Sequence, residues 1–178
     1  LVVDVSSPAV SIDVVRAAIE RGINVLVGTS GWSQERIALV RPLVEAAGTG
    51  VVFIPNFSLG SVIGTALAAA AAPFFPSIEI VEAHHAAKVD APSGTALALQ
   101  REMARHGYAR TIDTASTRVG AAPGTHTVGF DGPSETIVLT HTTRDRATFA
   151  RGALEAARWV QGRHGWFSMR DVLGLDER

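Results

Sequence analysis

The sequence predicts an α/β chain in two parts: a parallel sheet covered by helices, then an α+β region whose sheet is mainly antiparallel. Three observations carry this expectation. Short apolar runs alternate with helix-period segments up to about residue 54, the pattern of right-handed βαβ units. That rhythm breaks at an alanine-rich stretch after Gly60. From residue 116 onward, strand-like runs follow one another without an intervening helix, and a turn signal between two of them predicts an antiparallel hairpin.

Taken in order, Leu1–Val5 is an apolar run with β-branched residues and reads as a buried strand. Ser11 reads as the N-cap of a helix to Glu20, in which Ile12, Val15, Ala18 and Ile19 recur at helical spacing before Gly22 ends it. Ile23–Val27 is a second buried strand, followed by Gly28-Thr29-Ser30-Gly31. Ser33 caps a helix to about Ala47, with Gly48 and Gly50 as its stop, and Val51–Ile54 is a third strand. These elements are the later part of a Rossmann-type domain. The stretch from Ser61 to Phe75 reads as a tightly packed buried helix ended by Pro73 and Pro76. Ile78–Glu82 is a strand, and Pro92 or Ser93 opens a helix to about His106. Strands are expected at Ser116–Val119, Thr125–Phe130 and Glu135–Thr143, the last two joined across Asp131-Gly132-Pro133. A final helix from Thr148 to Gln161 precedes a short terminal segment.

Bulk properties narrow the function. The chain has 178 residues, 47% of them apolar, and a formal net charge of −1, so it can bury one good core or two small ones. No polybasic stripe invites nucleic acid. No cysteine is present, which excludes disulfides, thiolate metal sites and cysteine nucleophiles and fits a reducing cytoplasm. The Ser61–Phe75 stretch falls short of the ~20 residues that span a bilayer, and no targeting segment opens the sequence. The opening lies inside a strand pattern and lacks Met, which reads as a fragment of a longer protein.

The run Glu82-Ala83-His84-His85-Ala86-Ala87-Lys88-Val89-Asp90-Ala91-Pro92-Ser93-Gly94-Thr95-Ala96 concentrates the chemistry. Imidazole titrates near neutrality, lysine offers a fixed charge or a proton, and the backbone N–H groups of a helix start form an anion site. His84 and His85, adjacent at a strand end, should point to opposite sides. On chemistry alone they are either catalytic or a structural pair, and no third metal ligand sits at a convincing spacing. Ser93-Gly94-Thr95 is either an N-cap or a carboxylate-binding helix end, and both can hold. Gly28-Thr29-Ser30-Gly31 follows a parallel strand, where open α/β sheets bind ligands, or is an ordinary βα turn. On the residues alone Arg146 reads with Arg144 as a solvated charge cluster. His126 and His141 lie in strand patterns and read as structural, while His106 and His164 read as loop residues.

The signature E-A-H-H-x-x-K-x-D-A-P-S-G-T-A resembles that of the 4-hydroxy-tetrahydrodipicolinate reductase (dihydrodipicolinate reductase) family of lysine and diaminopimelate biosynthesis. Pro55-Asn56-Phe57-Ser58-Leu59-Gly60, Gly124-Thr125-His126-Thr127-Val128, Thr148-Phe149-Ala150-Arg151-Gly152-Ala153 and Trp166-Phe167-Ser168-Met169-Arg170-Asp171-Val172-Leu173 fit the same family in the same order. The resemblance implies an NADH- or NADPH-dependent reduction of a cyclic dicarboxylate. It implies His84 as general acid/base, Lys88 as proton donor and carboxylate ligand, and His85, Gly94, Thr95 and Arg146 as substrate contacts. It assigns Gly28, Thr29, Ser30, Ile54, Pro55, Asn56 and Phe57 to the nicotinamide. It further implies a homotetramer held by the antiparallel sheet, with residues 147–178 returning to a nucleotide domain of residues 1–57 and residues 58–146 binding substrate. Departures are Ser30 for a usual threonine, Ile54 for alanine, Asp145 for serine, a shorter loop near His106–Ser116, and no glycine-rich phosphate loop. A non-catalytic, oligomerising dicarboxylate-binding remnant is the alternative.

Overall fold

The computed structural model describes residues 1–175, which form two compact units. The first comprises Leu1–Leu59 together with the chain from Ala147 onward, and the second is Gly60–Arg146.

In the first unit β1 (Val2–Asp4), α1 (Ser11–Ile19), β2 (Val25–Val27), α2 (Gln34–Ala47) and β3 (Gly50–Phe53) alternate. Near the end of the chain, α5 (Ala147–Trp159) leads into β8 (Gly165–Ser168) and the short α6 (Met169–Val172). The sheet order is β1-β2-β3-β8 and every pairing is parallel. β2 is buried on both faces, which is why it reads as unbroken apolar residues rather than an alternating strand. Val15, Ile19, Val25, Val27, Val40, Val44 and Val51 make the core. Trp32 closes it, with its ring 5.9 Å from Trp166 and 6.5 Å from Phe53.

Two local expectations are corrected here. Ser11 does not cap α1: the N-cap is Val10, without a side-chain bond. The buried Ser11 hydroxyl instead donates to the Asp4 carboxylate and accepts from Trp32 Nε1 at 2.8 Å. Asp4 is itself buried at the carboxyl end of β1. Burial pushes its pKa up, but donors from Ser11 and Ser6 outweigh that and hold it below the ordinary value. The terminal segment is also more than a tail, because β8 pairs Trp166 with Val51 and Phe167 with Val52.

In the second unit α3 (Leu59–Ala71) runs into a 3₁₀ turn at Ala72–Phe74 and then β4 (Ser77–His84). After α4 (Gly94–Arg105) come β5 (Asp113–Arg118), β6 (Thr125–Asp131) and β7 (Thr136–Thr142). The order is β5-β4-β6-β7; β4 and β5 are parallel, joined through α4, and the other two pairings are antiparallel. The polar β5 begins three residues before the strand expected at Ser116. α3 is not the buried helix its composition suggests: Ser61, Ala68 and Ala69 are buried, while Ile63 and Leu67 are 41% and 53% exposed. The core gathers Ile78, Ile80, Leu99, Met103, Tyr108, Val128 and Phe130. No helix among the described residues is long and apolar enough to cross a membrane.

Candidate active site

Strand alternation builds the centre of the site. On β4, Ile78, Ile80 and Glu82 point inward, so His84, two residues on, lies on the same face. Glu82 is 1% exposed in a position the strand pattern reserves for an apolar side chain. Its register partners are Ser116 on β5 and His126 on β6, and Arg118 lies opposite His84. Arg118 grips the carboxylate with both terminal nitrogens at 2.8 Å, Ser93 N–H donates to Oε1 at 3.2 Å, and His84 Nδ1 lies 2.5 Å from Oε2. Burial alone would raise the Glu82 pKa. Hydrogen bonds from Arg118, Ser116 and His84 and the Arg118 charge outweigh it and hold the group at about 2. The carboxylate is therefore ionised at neutral pH.

The His126 ring stands edge-on to His84, centroids 5.0 Å apart, and its Nε2 is 2.8 Å from Ser93 Oγ. Burial first, and then the neighbouring His84, push the His126 pKa down to about 4, so it is neutral at pH 7. Ser93 also caps α4, accepting from Ala96 N–H at 3.2 Å. Gly124, at φ +107°, leaves room beside His84: a Cβ there would stand 3.2 Å from Nε2.

An anion site lies at the start of α4, and a carboxylate of the chain fills it. Lys88 Nζ is 2.7 Å from Asp90 Oδ1, and Gly94 N–H donates to Asp90 Oδ2 at 3.3 Å. Lys88 first, with further donors, lowers the Asp90 pKa.

The sequence-nominated residues fall into separate groups. His84, Lys88, Gly94 and Thr95 come from one continuous β4–α4 segment. Thr95 and His126 line a cavity of about 270 Å³ between α3 and the β6–β7 hairpin, beside the hydrogen-bonded cluster. His85 is exposed, and its carbonyl accepts from Lys88 N–H. Arg146 is exposed at the end of the second unit and forms no ion pair among the described residues. In the first unit Gly28, Thr29, Ser30, Ile54, Pro55, Asn56 and Phe57 follow the carboxyl ends of β2 and β3. Gly28 is needed by the fold itself, since a Cβ there would lie 2.4 Å from the Phe57 ring. Thr29 is buried and its hydroxyl donates to Asp4 O at 3.4 Å; Asn56 Oδ1 accepts from Ser58 N–H at 2.9 Å. Ser30 and Pro55 stay exposed. Hydroxyl and backbone groups at the carboxyl edge of an open parallel sheet fit a neutral carboxamide such as that of nicotinamide.

Sequence reasoning did not single out Glu82, Arg118, His126 or Asp90 for the site, nor Ser93 beyond its place at the start of α4. A different trio does meet, because ligand atoms of Glu82, His84 and His126 lie within 4.8 Å of one another, with His85 outside it. Both Glu82 oxygens already accept from Arg118, so a cation there would sit against a guanidinium.

Comparison with known proteins gives the family. The models "Dihydrodipicolinate reductase, N-terminus" and "Dihydrodipicolinate reductase, C-terminus" match residues 1–57 and 60–173. The 4-hydroxy-tetrahydrodipicolinate reductase of Thiobacillus denitrificans is 41% identical, covering 98% of this chain and 73% of its own length. The one from Rhodopseudomonas palustris is 42% identical over 99% and 73%. A dipicolinate-bound dihydrodipicolinate reductase from Paenisporosarcina sp. TG-14 shares the fold, with a TM-score of 0.85 and 24% identity over 94% of this chain and 71% of that one. The chain belongs to the dihydrodipicolinate reductase family.

Proposed function

We propose that this protein is a reductase that uses NADH or NADPH to convert 4-hydroxy-tetrahydrodipicolinate to tetrahydrodipicolinate. One observation carries the reading: an ammonium and a helix-start N–H already cradle a carboxylate, that of Asp90, on the segment that also bears His84. A substrate carboxylate displacing Asp90 would meet Lys88, Gly94 N–H and the Thr95 hydroxyl at the positive end of α4. The Paenisporosarcina relative, in which dipicolinate is bound, supports a planar cyclic dicarboxylate as ligand.

Residues of the β2 and β3 loops would hold the nicotinamide, whose reduced ring would supply the hydride of the reaction. Lys88 holds a carboxylate and, with His84, supplies the proton balance of the net reaction, in which the C4 hydroxyl leaves as water and a hydride takes its place on the ring. His84 Nδ1 is committed to Glu82, so proton exchange runs through Nε2, the edge that Gly124 keeps open. His85 and Arg146 are assigned to substrate, and Gly28, Thr29, Ser30, Ile54, Pro55, Asn56 and Phe57 to the cofactor, on the family resemblance. With this reading go a cytoplasmic location and a homotetramer. The non-catalytic alternative draws no support from the family comparison.

The test is substrate-dependent oxidation of NADH and NADPH by the purified chain, by His84→Ala and by Lys88→Ala. Turnover is expected in the wild type and should fall by about 10²- to 10⁴-fold in each variant, with KM also raised in Lys88→Ala. A wild type inactive with both cofactors, or variants as active as it, would overturn the assignment.

A further inference from the structure

Accepting His84 as the acid/base of that reaction, we propose that Glu82 is a positioning residue for it. Anchored by Arg118, the Glu82 carboxylate holds His84 as its Nδ1–H tautomer and leaves Nε2 to exchange protons with the substrate.

A carboxylate is an odd choice for the inward face of β4, where Ile78 and Ile80 precede it. Packing there would be served by an apolar side chain, since burying an ion pair gives little net stability over hydrophobic residues. What the charge does instead is define donors and acceptors. Oε1 accepts from Arg118 Nη2 and Ser93 N–H, and Oε2 accepts from Arg118 Nη1 and faces His84 Nδ1. An ionised carboxylate only accepts, so the proton between Oε2 and Nδ1 belongs to the imidazole. Arg118 also donates to the Asp90 carbonyl, tying the carboxylate that orients His84 to the loop carrying Lys88.

The other groups facing His84 keep this state. His126, on β6, is neutral at pH 7 and presents a ring edge rather than a second cation. Ser93 fixes the His126 orientation, and His141 on β7 lies beyond it, with its pKa lowered by burial. Lys88 is paired with Asp90.

Glu82→Gln discriminates this role from plain packing. A glutamine has one acceptor oxygen for the donors from Arg118, Ser93 N–H, Ser116 and His84 that the carboxylate serves with two. Placing its NH₂ at the Oε1 position would oppose Arg118 Nη2 and Ser93 N–H, whereas at the Oε2 position it opposes only Arg118 Nη1 and can donate to His84 Nδ1. The amide should take the second arrangement and move the His84 proton to Nε2.

The decisive measurement is imidazole ¹⁵N NMR in alkaline solution, with His84 assigned by its absence in His84→Ala. The wild type should show a protonated Nδ1, and Glu82→Gln a protonated Nε2. With it, kcat should fall about 100-fold or more, as wrong-tautomer variants of acid/base sites do, while KM for the dicarboxylate changes less than about twofold. Adding Glu82→Gln to His84→Ala should lower kcat no further. An Nε2–H tautomer in the wild type overturns the proposal even if the variant fails to fold. So does an active Glu82→Gln with wild-type kcat. A wild type without turnover would instead count against the reductase reading, and the tautomer measurement does not depend on it.

Discussion

Arg118→Met removes the cationic partner of the buried Glu82 carboxylate and makes a prediction with a definite sign. In the wild type the Glu82 carboxyl is displaced from 4.5 to about 2. That displacement corresponds to about 3 kcal/mol of native-state preference for the charged form at neutral pH. Because the folded pKa lies below the unfolded one, this contribution is complete above about pH 4.5 and is lost as pH falls toward 2. Methionine removes the guanidinium and leaves the burial, which by itself raises the carboxyl pKa. Breaking a buried pair costs about 3–5 kcal/mol, and since the Arg118 side chain is 17% exposed, water can replace part of it. We therefore expect a loss of about 3 kcal/mol at neutral pH. Without the guanidinium the depression of the Glu82 pKa shrinks, so the variant loses less stability than the wild type as pH falls from about 4.5 toward 2, and its deficit narrows on acidification. Urea unfolding of both proteins across this range measures it. Trp32, Trp159 and Trp166 all lie in the first unit, so far-UV circular dichroism is the appropriate signal. A loss below about 1 kcal/mol, or a deficit that does not narrow on acidification, would refute the reasoning.

Other perturbations separate fold from function. Gly152→Ala would set a Cβ 1.8 Å from the Phe57 carbonyl oxygen, backbone that cannot yield locally; overpacking of this kind should cost about 3 kcal/mol or more, read from tryptophan fluorescence on unfolding, and wild-type stability would contradict the packing of α5. Gly94→Ala meets nothing within 4 Å, so stability should hold or rise by up to about 1 kcal/mol, while the dicarboxylate Kd rises about tenfold as the anion's approach to the backbone is hindered; unchanged binding would remove Gly94 from the site. Asp90→Asn deletes the resident carboxylate, whose exposed pair with Lys88 is worth at most about 1 kcal/mol, so dipicolinate should bind about 2- to 5-fold more tightly. Equal or weaker binding would show that Asp90 does not compete.

The sequence made the parallel sheet plain because Val25–Val27 and Val51–Val52 are buried on both faces and therefore uninterrupted by polar residues. α2 was equally legible, since Ser33 and Gly48 sit at its cap and its left-handed stop. β5 and β8 were harder. Asp113–Arg118 is a mostly exposed edge strand with almost no apolar content, and Gly165–Ser168 is only four residues long. Ser11 misled because a serine before an apolar run has the same appearance whether it caps a helix or, as here, satisfies a buried aspartate.

The site divides along the same physical line. His84, Lys88, Gly94 and Thr95 are neighbours in sequence, so local spacing exposes them. Arg118 meets Glu82 across 36 residues through strand register, and His126 meets Ser93 across 33 where the start of α4 reaches β6. One clue was available: continuing the inward alternation of Ile78 and Ile80 puts Glu82 in the core, and a buried carboxylate requires a partner.

The central claim is that the β4–α4 segment binds the dicarboxylate. Calorimetric titration of the chain with pyridine-2,6-dicarboxylate in the presence of NADH, repeated with Lys88→Ala, tests it most directly. Saturable binding by the wild type that vanishes in Lys88→Ala is the predicted result; equal binding by both proteins, or none by the wild type, would contradict it.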